Sequence, residues 1–95
     1  MRSPEVTADG VFFRLVEPDA STVHLIGTFN SWRRSESFSM TKNWHGAWEI
    51  LIRLGPGTYE YVFLIDGAKR VWDDNNPDRV VDRRDKYHSV LTVRR

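Results

Sequence analysis

The run Tyr59-Glu60-Tyr61-Val62-Phe63-Leu64-Ile65, closed by Asp66-Gly67, constrains the fold more than any other stretch of this chain. Aromatic and β-branched side chains fit a pleated, half-buried surface and lose rotamer freedom in a helix. Asp-Gly supplies two central turn positions that tolerate positive φ, as a two-residue hairpin requires. Strand alternation sets Tyr59, Tyr61, Phe63 and Ile65 on the core side and turns Glu60, Val62 and Leu64 the other way.

The same period of two recurs along the chain, and no helical periodicity is sustained. Strands are expected over residues 11–16, 22–26, 48–53, 69–72 and 88–93, with Val80-Val81 adding a few paired residues. Phe38 and Met40, in the long 27–46 connection, form a short edge strand or anchor the loop. Pro18-Asp19, Gly55-Pro56-Gly57 and Asn76-Pro77 punctuate the runs. Six to eight short strands with turn chemistry between them predict an all-β, immunoglobulin-like antiparallel β-sandwich. Ninety-five residues make one domain with one modest core. Residues 1–8 are expected to be a flexible N-terminal segment and residues 9–95 the sandwich.

Charge and composition exclude several function classes. Fourteen basic against 13 acidic residues leave a net charge of +1, no footprint for nucleic acid or an anionic membrane. The chain has no cysteine, hence no disulfide framework and no thiolate metal site. No apolar run is long enough to span a bilayer, so the expected home is cytoplasmic. Asp73, Asp74, Asp78, Asp82 and Asp85 share polar loops with Arg79, Arg83 and Arg84, which reads as solvated turns of mixed charge. His24, His45 and His88 show no metal-ligand spacing, and no Gly-x-Ser-x-Gly elbow is present. No catalytic residue, metal or cofactor is assigned, and the chain reads as a non-enzyme.

What remains is aromatic: four Trp, three Tyr and five Phe, more than one small core can hide. Trp48 alternates into the core. Trp44, beside His45, is left open by the pattern. Trp32 ends the turn Gly27-Thr28-Phe29-Asn30-Ser31-Trp32, and Trp72 follows the Asp66-Gly67 hairpin; both have polar neighbours. Exposed indoles stack on flat ligand faces, and the axial C–H face of a pyranose is apolar and slightly positive. A core plug is the alternative reading of Trp32.

These blocks, in order with Gly46-Ala47-Trp48-Glu49, Pro56-Gly57-Thr58-Tyr59, Asn76-Pro77 and Ser89-Val90-Leu91-Thr92-Val93, resemble carbohydrate-binding module family 48. That family includes the glycogen-binding domain of the AMP-activated protein kinase beta subunit. It also includes the N-terminal domains of isoamylases, pullulanases and glycogen branching enzymes. The resemblance implies a sandwich that binds α-1,4-linked glucans or maltooligosaccharides, with Trp32 and Trp72 as its sugar platform. The family lysine falls on Val62, which donates no hydrogen bond. The family asparagine falls on His88, whose ring can still donate or accept. Lys86 and Tyr87 occupy the loop that touches sugar in kinase-type members. The expected carbohydrate-binding residues are therefore Trp32, Trp72, His88 and Lys86. Partners are a glucan and, beyond it, a possible protein partner or attached catalytic domain. The alternative is a protein-interaction or spacer domain of the same fold that has lost sugar binding, in keeping with Val62.

Overall fold

The computed structural model describes residues 4–94. Among them are nine strands: β1 (Glu5–Thr7), β2 (Gly10–Val16), β3 (Val23–Gly27), β4 (Thr41–Lys42), β5 (Ala47–Ile52), β6 (Gly57–Ile65), β7 (Lys69–Val71), β8 (Arg79–Val81) and β9 (Tyr87–Val93). They form two antiparallel sheets, ordered β1-β2-β5-β4 and β3-β6-β9-β8, with β7 also paired to β6. The sheets make the sandwich that the alternation implies.

Register decides what faces inward. In the first sheet Val11 lies opposite Ile52, Phe13 opposite Ile50 and Leu15 opposite Trp48. In the second, Val23 pairs with Ile65, Leu25 with Phe63 and Tyr59 with Leu91. These side chains form or pack against the core between the sheets. Trp48 is buried there, its indole N–H donating to Glu17 O at 2.9 Å. The expected hairpin is present, with Asp66 at φ 53° and Gly67 at φ 70°, but its loop has a third residue, Ala68, because Ile65 pairs with Lys69. Asp66 Oδ1 accepts from the backbone N–H of Ser21 at 2.7 Å and of Thr22 at 3.0 Å, tying that hairpin to the β2–β3 connection.

The structure differs from expectation at three places. The strand count exceeds six to eight because β1 and β4 have only three and two residues, too few for alternation to show. Residues 5–7, expected within a flexible segment, pair with β2 through Val6 and Val11, and the Thr7 hydroxyl donates to Gly10 O at 2.8 Å; residues 1–3 lie outside the described residues. Val62 faces away from the core yet is only 2% exposed, as is its cross-strand neighbour Ile26 at 1%. Near this part of β6 the Trp32 ring lies against His88 on β9, and the Arg34 guanidinium lies beside Gly67 in the β6–β7 turn. The long connection is anchored by Phe38 and by Met40, whose N–H donates to Val23 O at 2.8 Å.

Candidate functional site

Each residue of the Gly27–Trp32 turn has a separate physical task. A Cβ on Gly27 would lie 2.3 Å from Glu60 O and 2.9 Å from the Phe29 ring, so the chains meet this closely only at glycine. Asn30 Oδ1 accepts from the Gly27 N–H at 3.0 Å, and its amide donates to Leu25 O at 3.0 Å. Phe29 turns inward, stacked on Phe38 with centroids 5.4 Å apart and tilted against Phe13 at 6.5 Å. Phe29 is thus the plug under the sheet.

Trp32 is left half-buried at the surface. Ser31 and Trp32 both lie in the left-handed region, at φ 57° and 60°. A bulky residue seldom sits there, and such strain costs on the order of 1–3 kcal/mol unless neighbours over-determine it. Two bonds hold the turn: the Trp32 N–H donates to Gly27 O at 2.9 Å and the Arg33 N–H to Asn30 O at 3.2 Å. The indole rests on the His88 ring, centroids 4.6 Å apart.

His88 is itself clamped. Nδ1 is 3.1 Å from Glu60 Oε1 and Nε2 is 3.2 Å from Asp82 Oδ2. Carboxylates only accept, so a ring nitrogen that carries a proton donates to the carboxylate it faces. Asp82 Oδ1 also accepts from the N–H groups of Arg84 at 2.7 Å and Lys86 at 3.0 Å. Those amides, Lys86 first and then Arg84, hold the Asp82 carboxyl below the ordinary carboxylate range; the charges of His88 and Arg84 add to the effect.

Trp72 follows β7 directly. One step beyond the Phe63–Val71 pair, it lies level with Val62. It meets Tyr87 edge to face at 5.2 Å. The next residue, Asp73, is not part of a solvated turn: it is 1% exposed. Tyr61 donates its hydroxyl to Asp73 Oδ2 at 2.9 Å and accepts from the Asn76 amide at 3.1 Å. Asp73 N–H donates to Ser89 Oγ at 2.7 Å, and Asn76 also donates to Val90 O at 2.9 Å. This buried network fixes the 73–78 loop against β6 and β9, and Trp72 at its mouth.

All four expected site residues therefore gather around one short segment. Trp32 lies on His88, Trp72 on Tyr87, and Lys86 precedes them, exposed, with its backbone tied on both sides to Asp82. Trp44 stands apart at the β4–β5 turn, 90% exposed and tilted against His45 with centroids 4.1 Å apart. Sequence reading did not find Glu60 and Asp82 as the His88 clamp, the Tyr61–Asp73–Asn76 network, or Arg79, which lies over the rings of Trp72 and Tyr87. One signal was present: a Tyr alternating into a core needs a partner for its hydroxyl. Among the described residues no group of three or more His, Asp or Glu could hold a metal ion, and no helix is long and apolar enough to cross a membrane.

Comparison with known proteins gives these residues a family. A family model described as the glycogen recognition site of AMP-activated protein kinase matches residues 12–95. Among similar proteins, the 1,4-alpha-glucan branching enzyme GlgB 2 of Clostridium perfringens is 36% identical over 58 residues, 60% of this chain and 9% of the enzyme. Protein FLOURY ENDOSPERM 6, chloroplastic, of Oryza sativa is 32% identical over 74 residues, 78% of this chain and 13% of that protein. The SNF1 protein kinase subunit beta-2 of Saccharomyces cerevisiae is 32% identical over 53 residues, 56% of this chain and 13% of the subunit. The chain thus spans about a tenth of the length of these curated relatives. With a match that begins inside β2 and runs through β9, the chain belongs to the family of the glycogen recognition site of AMP-activated protein kinase, a carbohydrate-binding module.

Proposed function

We propose that this chain is a non-catalytic α-glucan-binding module that holds a maltooligosaccharide or an outer chain of glycogen or starch across Trp32 and Trp72. The observation that carries the reading is that both indoles pack at the start of β9, Trp32 against His88 and Trp72 edge-to-face against Tyr87, in a chain of the glycogen-recognition family. A strained turn that keeps a Trp at the surface while Phe29 fills the core is an arrangement for contact, not for packing. The indole faces take the apolar faces of successive glucose units. Lys86 donates to hydroxyls at the rim, and His88 works from beneath by levelling Trp32. The module tethers an attached or partner catalytic domain to polymer, in a cytoplasmic setting.

The test is calorimetric titration with maltoheptaose. Trp32→Ala and Trp72→Ala should each abolish measurable binding at millimolar sugar, while Trp44→Ala retains it. Fluorescence titration is best done in a Trp44→Phe background, because the exposed Trp44 would otherwise dominate emission. Absence of binding by the unaltered chain would favour the second reading, a protein-docking or spacer domain. Burial of the apolar Val62 at the position of the family lysine is the observation on that side.

A further inference from the structure

A site that grips sugar by stacking also needs hydrogen-bond donors at its rim, since glucose is ringed by hydroxyls. Two of the donors expected here are withheld. Val62 is apolar and covered, and both His88 nitrogens face carboxylates. Arg79 is placed to supply what is missing. Its guanidinium carbon lies 5.6 Å from the centroid of Trp72 and 5.4 Å from that of Tyr87. Those rings stand at 68° to one another. The β8–β9 register sets Arg79 opposite Ser89, on the same face as Tyr87, and β8 is the sheet edge.

The distances matter. They fall within the roughly 6 Å reach of a cation–π contact but exceed the ~3.5–4 Å of flush stacking. The guanidinium therefore lies over both rings without flush contact, and both rings keep exposed surface beside it. Trp72 is 36% exposed and Tyr87 44%. Two adjacent aromatics left this open, with a planar donor above them, form an amphipathic cup.

We infer that Arg79 and Tyr87 complete Trp72 into a sugar subsite of its own. Trp72 and Tyr87 supply two apolar walls, and the Arg79 fork donates two parallel N–H bonds to the vicinal O2 and O3 of one glucose unit. This rests on the glucan reading above and names two further ligand-contacting residues for it. Lysine, a point donor, cannot reproduce the fork.

Binding of maltoheptaose to the unaltered chain, Arg79→Ala, Arg79→Lys and Tyr87→Ala tests this, with melting temperature as the control. Arg79→Ala should bind about tenfold more weakly, with Arg79→Lys recovering less than half of that loss and Tyr87→Ala also weakened. The Arg79 Nε–H resonance of the unaltered chain should shift on titration. Equal affinity of Arg79→Ala and the unaltered chain would overturn the inference while leaving the glucan reading intact. Loss of all binding by the unaltered chain would end both. Should Arg79→Ala fail to fold, an Arg79 Nε–H signal unmoved by saturating sugar overturns the inference by itself.

Discussion

Tyr61→Phe removes one oxygen from the centre of the buried network and should cost about 2–4 kcal/mol. The hydroxyl makes two bonds, to the Asp73 carboxylate at 2.9 Å and from the Asn76 amide at 3.1 Å. A bond to a charged group is worth about 1.5–3 kcal/mol and one to a neutral amide about 0.5–1.5 kcal/mol. Both partners keep other contacts, Asp73 Oδ1 with the Asn75 N–H and Asn76 with Val90 O, which holds the total near the middle of the summed range. In a domain of this size that lowers the melting temperature by roughly 10–25 °C. Urea unfolding with an unchanged m-value is the assay. Combination with Asp73→Asn should be non-additive by more than about 0.5 kcal/mol, because the two groups share one bond. A destabilisation below about 0.5 kcal/mol, or strict additivity, would refute the claim that this network holds the loop.

The same residue makes an alkaline prediction. Burial first, and then the charge of Asp73, push the Tyr61 phenol above the ordinary tyrosine range. A group whose folded pKa is raised holds its proton more tightly when folded. Its contribution is therefore complete below the ordinary value of about 10 and is lost as pH climbs beyond it. The unaltered chain should lose stability above that pH more steeply than Tyr61→Phe. Parallel slopes would contradict the assignment.

Three further outcomes are expected. Gly27→Ala should destabilise by about 3 kcal/mol or more, since the new methyl meets the Glu60 carbonyl at 2.3 Å and backbone there must move; a change under about 1 kcal/mol in chemical denaturation would contradict the close approach. Asp66→Asn should flatten the acid limb of the stability curve. The Thr22 N–H and then the Ser21 N–H hold the Asp66 carboxyl below its ordinary range, so its contribution is present above about pH 4 and lost as pH falls further; an unchanged acid limb would count against it. Phe29→Ala should cost about 3–5 kcal/mol as a core cavity, whereas Trp32→Ala should cost under half as much; equal losses in urea titrations would return Trp32 to the core.

Local chemistry determined much of this protein. Period-two alternation over residues 59–65 and the Asp66-Gly67 pair are properties of adjacent residues, and they specify strand, inward face and hairpin wherever they occur. Trp32 and Trp72 stand out by the same means, as aromatics with polar neighbours, whereas His88 and Lys86 were expected only from the family resemblance. Trp32 was undecided between plug and platform, and the structure gives the plug to its neighbour Phe29.

Tertiary structure decided what depends on register between distant strands. Glu60 and His88 are 28 positions apart, and Tyr61 and Asp73 are 12 apart. They meet because β6 pairs with β9 along one stretch of its edge and with β7 along the next. That junction buries Asp73, which reads in sequence as one acid among several in a solvated loop. It also clamps His88, which in isolation reads as a free donor. Arg79 acquires a role only when β8 pairs with β9 and carries it over Trp72 and Tyr87. A single strand specifies which way its side chains point; which groups they meet is settled only when the sheet is assembled.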